Sequence, residues 1–270
     1  MTKSELSIPS HNAATPWIIS PQERVFLGDA LIETLSVQGG IAQHSLSHWQ
    51  RLQHSAVFMG YRACPDFETW HLALQQQIKH DNLVNGGVKA ILTGGVACRG
   101  LLSQGEDNRL LVQTFIYEPS RDPIRVARAT WQRDALNPIY QVKAMSYLEG
   151  IFAQRYAQRA GADDVLFFNQ QEHATETSCA NLFVIHQNKI LTPPIADGLV
   201  SGIIRKILLT QSRDINLMCM EQSITLETLM QAEAVFVTNA LQGIRCVQAL
   251  DDINWPTTHP FIEKIQSLLL

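Results

Sequence analysis

No apolar run in this 270-residue chain approaches the ~20 residues that cross a bilayer. The opening segment MTKSELSIPSHNAATPW has no apolar core behind its lysine, so neither export nor membrane insertion is expected and a cytoplasmic location is. Cysteine is scarce and scattered. Cys64, Cys98, Cys179, Cys219 and Cys246 form no C-x-x-C pair and have no histidine set at metal spacing, which predicts reduced core thiols, no disulfide framework and no metal site. Charge is sparse too: 17% of residues are charged, below the ~25% of ordinary soluble domains, which predicts an oligomer with part of its surface covered by a partner subunit. The formal balance of 21 basic and 25 acidic residues, −4, comes without a long basic run and argues against nucleic acid or an anionic membrane as partner. A small anionic ligand would need local positive groups. Internal repeats and low-complexity segments are absent as well.

What is present is the 46% apolar content and the length of a chain able to bury one large core or two modest ones. Gln38-Gly39-Gly40 between short β-type segments signals a hairpin. Leu46, Trp49, Leu52 and Ala56 then share one helical face, and Phe67, Trp70, Leu74 and Ile78 share another behind a capping Asp66. GVKAILTGG and RLLVQTFIYE read as strands, and EPSRDP reads as a linker. IRVARATW reads as a further strand, followed by a helix from about Ser146 to Gly161. DVLFF, CANLFVI and NKILTPP are three more short strands. Helices are expected from Gly202 to Leu209 behind Ser201, after Thr225, and from Pro260 to Leu270. The pattern predicts an α+β fold in two domains, residues 1–118 and 124–270, joined by 119–123, with Lys143 on the second.

Several segments carry possible chemistry. In LVSGIIRKILL the amides after Gly202 can accept a phosphate at a helix start, or the segment is simply a capped amphipathic helix. Thr238-Asn239-Ala240 can serve the same anion or be only a turn. Lys143, between Val142 and Ala144, is either a solvated lysine or a desolvated one able to form Schiff bases. Glu176 is either an exposed edge carboxylate or a buried acid paired to a heterocyclic N–H.

Taken in order, these segments resemble the class IV, or fold type IV, pyridoxal-phosphate enzymes, from VFLGDALIET to RCVQALD. The resemblance rests on FLGDALIETLSV, on His48-Trp49-Gln50-Arg51-Leu52, on Lys143, on the T-E-x-x-x-x-N-L-F segment from Thr175 to Phe183, and on Thr192 to Pro194 with Gly202 to Arg205. It implies that Lys143 forms the Schiff base, that Arg51 with the amides of Ile203 and Ile204 holds the cofactor phosphate, with Thr238 and Asn239 beside it, and that Glu176 pairs with the pyridine nitrogen. Two positions depart from the pattern: Ile204 replaces the threonine of G-I-T-R, and Ala30 replaces the last glycine of G-D-G.

Within the family, Thr34, the segment Thr238 to Leu241, and the glycine-rich loop bearing Arg99 are similar to aminodeoxychorismate lyases. That likeness implies conversion of 4-amino-4-deoxychorismate to p-aminobenzoate, a folate precursor, and pyruvate. Lys143 would act as base, Thr34 would assist proton transfer, and Arg99 would bind a substrate carboxylate. It also implies a homodimer. A branched-chain or D-amino acid aminotransferase is the alternative within the family, and a non-catalytic phosphate- or partner-binding member is the alternative outside catalysis.

Overall fold

A computed structural model describes residues 20–269, so the opening segment and Leu270 lie outside the described residues. Within the described residues the chain divides into two compact units, one of residues 20–118 and 142–146 and the other of 119–141 and 147–269.

The first unit is built on an antiparallel sheet in the order β2-β1-β3-β4, from β1 (Ala30–Gln38), β2 (Ile41–Ala42), β3 (Gly86–Thr93) and β4 (Leu110–Phe115). Helices α1 (Ser45–Phe58) and α2 (Phe67–His80) follow the β1–β2 hairpin. Because side chains alternate along a strand, Leu31, Leu35 and Val37 of β1 and Val88, Ala90 and Leu92 of β3 face the helices and form one core with Leu52, Trp70 and Leu74. Ala30, Ile32, Ile91 and Leu111 point to the opposite face. The expected Asp66 cap is present, its carboxylate accepting from Thr69 N at 2.8 Å. The α1 face differs from the expected stripe, since His48, Leu52, Ser55 and Ala56 are buried whereas Leu46 is exposed. A polar anchor at His48, described below, rotates the helix away from its apolar stripe.

The second unit contains β5 (Ile124–Arg133), α3 (Leu148–Arg159), β6 (Asp164–Asn169), β7 (Ala174–Thr177), β8 (Asn181–His186), β9 (Lys189–Thr192), α4 (Ile203–Gln211), β10 (Cys219–Glu221), α5 (Leu226–Met230), β11 (Ala234–Asn239), β12 (Gly243–Leu250), β13 (Ile253–Asn254) and α6 (Pro260–Leu269). Among the described residues the strands run β10-β9-β8-β11-β12-β5-β6-β7, with β13 on β12. Since β7 also pairs with β8, six strands close into a barrel, and Glu176 opposite Asn181 is the closing pair. Val126, Leu166, Leu182, Val184, Val235 and Val247 come from five of those strands and share one core cluster. Phe183 and Phe236 stack outside it, under Ile204 and Leu208 of α4.

Three sequence expectations change. The segment Val142–Ser146, expected on the second unit, belongs to the first, because Ile32 N donates to Lys143 O at 3.0 Å and Met145 N to Ala30 O at 2.7 Å. Gly202 rather than Ser201 is the N-cap of α4, so the N-cap residue itself has no side chain to cap that end. Cys98 and Cys179 are exposed rather than in the core, although all five cysteines are free.

Candidate active site

In the first unit Thr34 and Lys143 lie on one face of the sheet. Leu31 is bridged to Ala144, and both pack toward the helices, so Lys143 turns the other way, to the side of Ile32 and Met145. Thr34 follows Ile32 by two residues and therefore faces the same side. Its partner across the sheet is Lys89, a second cation on that face, whose Nζ lies 5.9 Å from the Phe115 ring centroid. Lys89 was not singled out in the sequence, yet a lysine interrupting the apolar strand GVKAILT is a legible signal. Arg99 is exposed in the loop between β3 and β4. Arg24 supports that loop, donating to Gly100 O while its Nε binds Asp29 at 2.5 Å. Gly28 takes the left-handed turn at φ +77°, and Ala30 is already in the strand, where no glycine is needed.

Glu33 points the opposite way from Thr34, towards α1. It is 1% exposed and accepts from Arg51 Nε at 2.8 Å and Nη2 at 2.5 Å, with His48 Nδ1 also at 2.5 Å. Burial alone would raise the Glu33 carboxyl, but the Arg51 guanidinium and His48 overcome it and bring it down to about 2. Burial lowers His48, which is 0% exposed, and the contact with Glu33 offsets that only in part. Arg51, assigned by resemblance to the cofactor phosphate, is thus fixed by a carboxylate of its own unit.

In the second unit the assigned residues gather around Asn181. Its Nδ2 donates to Glu176 Oε2 at 3.1 Å and to Val200 O at 2.9 Å, and Val200 N donates to the same Glu176 oxygen at 3.3 Å. Glu176 is buried, and its other oxygen receives Arg133 Nη1 at 2.9 Å. A Cβ on Gly202 would collide with Asn181 Oδ1, so the start of α4 approaches this cluster as only glycine allows. The N-cap glycine offers no side chain to the first amides of α4, while the Ile204 side chain is buried in the core, leaving its backbone N–H as the donor. Thr238 is paired with Asn181 across β8 and β11, is 2% exposed, and its Oγ1 has no hydrogen-bond partner. Asn239 serves the turn: its Oδ1 accepts from Leu241 N and Gln242 N, and its Nδ2 donates to Cys179 O.

A helix start with glycine at its N-cap, a buried hydroxyl lacking an acceptor and a fixed carboxylate together suit a ligand with a phosphate at one end and a protonated heterocyclic nitrogen at the other. Among the described residues no group of three His, Cys, Asp or Glu side chains is gathered for a metal ion.

A six-stranded barrel carrying that cluster, together with a four-stranded unit carrying the lysine, is the architecture of the fold type IV pyridoxal-phosphate enzymes. The chain belongs to the amino-transferase class IV family, whose model matches residues 30–250, and pyridoxal phosphate is its cofactor. It is 44% identical to a Legionella pneumophila structure described as a "Putative 4-amino-4-deoxychorismate lyase", with a TM-score of 0.92 over 95% of this chain and 96% of that one. It is 24% identical to the D-alanine aminotransferase of Staphylococcus haemolyticus, over 86% of this chain and 84% of the relative. A pyridoxal-phosphate-bound "hypothetical aminotransferase" from Mycobacterium tuberculosis shares the fold at a TM-score of 0.84, with 22% identity over 96% of this chain and 95% of that one.

Proposed function

We propose that the chain is a lyase that converts 4-amino-4-deoxychorismate to p-aminobenzoate and pyruvate, acting as a cytoplasmic homodimer. The observation that carries the reading is the 44% identity to the Legionella structure over nearly the whole chain. Thr34 on the face of β1 that Lys143 also takes supports it. Lys143 would hold the cofactor covalently, the first amides of α4 with Thr238 and Arg51 its phosphate, and Glu176 its ring nitrogen. Bound pyridoxal phosphate supplies an electron sink through its ring.

Substrate binding frees Lys143 Nζ, which takes the proton from the ring carbon bearing the substrate amine. Electrons from that C–H bond complete the aromatic ring as the C–O bond to the enolpyruvyl group breaks. Thr34 Oγ1 assists proton delivery to the departing group, which leaves as pyruvate. Arg99 and Lys89 are the first-unit cations suited to the substrate's two carboxylates.

Transamination of a D-amino acid is the second reading, favoured by the likeness to the staphylococcal enzyme. Assays for p-aminobenzoate from aminodeoxychorismate and for amino acid plus 2-oxoglutarate, run side by side on the holoprotein, decide between them. Aminotransfer without p-aminobenzoate would replace the lyase reading with the second one. Activity in neither assay would leave a non-catalytic member of the family.

A further inference from the structure

Arg133, at the end of β5, stands between two carboxylates. One donor, Nη1, reaches Glu176 Oε1 at 2.9 Å, whereas Nη2 and Nε both reach Glu149 Oε2, at 2.9 Å and 3.2 Å. The guanidinium is buried, with its carbon 3.8 Å from the Phe167 ring centroid and 4.7 Å from that of Tyr140. Glu149, in the first turn of α3, is itself held from its other oxygen, which accepts from Trp131 Nε1 at 3.2 Å. The Tyr140 hydroxyl also faces Glu149. Burial first, and then the Glu149 charge, raise its pKa, so that it stays protonated and able to donate.

The charges in this cluster decide what Glu176 offers. Arg133 and Glu176 alone would be a closed pair, one cation to one anion, with no net charge left for a heterocyclic N–H. Glu149 adds a second anion and accepts two of the three hydrogen bonds that Arg133 makes to carboxylates, so the set carries a net charge of −1 against a protonated ring nitrogen of +1.

We propose that Glu149 is a positioning residue: by holding and neutralising Arg133 it leaves Glu176 as a full negative charge for the ring nitrogen of pyridoxal phosphate. The inference rests on the reading of Glu176 as the partner of that nitrogen. Glu149 touches neither cofactor nor substrate in this role. It acts through Arg133.

The test is 15N NMR of the holoprotein reconstituted with cofactor labelled at the ring nitrogen, in the wild type and in Glu149→Gln, Glu149→Asp and Glu176→Gln. Glutamine keeps the length and an accepting oxygen while removing the charge. Loss of a nearby charge typically moves a pKa by about 1–3, so the ring-nitrogen protonation constant should fall about tenfold or more in Glu149→Gln. The resonance should move towards the unprotonated position, kcat should drop with KM little changed, and Glu149→Asp should restore much of both. A Glu149→Gln resonance at the wild-type position, with Glu176→Gln displaced, overturns the role of Glu149 alone. An undisplaced resonance in Glu176→Gln overturns the reading of Glu176, and the inference with it. Equal loss of thermal stability in both Glu149 variants, with the nitrogen signal unmoved, marks a merely structural residue and also overturns the proposal.

Discussion

Thr34 and Glu33 are neighbours on β1 that face opposite sides, and their substitutions should separate chemistry from stability. Thr34→Val keeps the β-branched shape that suits a strand. General acid-base assistance is typically worth ~100-fold, so p-aminobenzoate formation should fall on that scale with the visible absorption of the bound cofactor unchanged. Turnover like that of the wild type would remove Thr34 from the mechanism. Glu33 acts on the folded state instead. Its folded pKa of about 2 lies below the ordinary value of 4.5, so its stabilisation is complete above pH 4.5 and is lost as the pH falls towards 2. His48, lowered from 6.5, works in the same direction: below about that pH the unfolded chain binds the proton more readily, and stability declines. Glu33→Gln removes the buried anion to which Arg51 and His48 both bond and should cost about 3–5 kcal/mol at pH 7 in urea unfolding. A loss below 1 kcal/mol would show that the pair is not the anchor of α1.

At the scale of elements, the start of α4 is the part of the site most sensitive to a single atom. Gly202→Ala sets a methyl against Asn181 Oδ1, and Asn181 in turn holds Glu176 and Val200. Overpacking of this kind costs about 1–3 kcal/mol. The variant should unfold at lower urea and bind pyridoxal phosphate more weakly, both readable by titrating the visible absorption of the reconstituted protein. Unchanged affinity would mean that Asn181 moves without disturbing Glu176.

The elements differ in how far the sequence announced them. α2 was legible because Asp66, Phe67, Trp70, Leu74 and Ile78 combine a cap with an apolar stripe. The α1 stripe points to the wrong face, because the inward face is chosen by the Glu33–Arg51 ion pair and the hydrogen bond between Glu33 and His48, long-range contacts that periodicity does not register. β7 was missed: ATET is four residues long and mostly polar, and it becomes a strand only through pairing with β6 and β8. Glu176 sits on it, so motif order points to the residue while local composition does not point to the strand that presents it. Arg133 and Glu149 went unread because the carboxylates around the guanidinium come from α3 and β7, far apart in sequence.

For the whole molecule, the low charged fraction has a counterpart on the surface. Leu136, Ile139, Leu148, Ile151 and Phe152 of the second unit are exposed, and so many large apolar side chains in water favour a covering subunit. Sedimentation at micromolar concentration should give twice the 30.2 kDa chain mass, and a species of one chain mass alone would refute the homodimer.

The chain's path between its units has a further consequence. The first unit ends at Glu118 and is completed only by Val142–Ser146, five residues that bring Lys143 to the edge of β1. The polypeptide therefore passes from one unit to the other three times, and the boundary does not correspond to a single cut. A fragment ending at the linker would lack both Lys143 and the hydrogen bonds closing that edge, whereas the complementary fragment would carry Lys143 severed from its sheet. A working hybrid should exchange Val142–Ser146 together with β1, the strand it docks on.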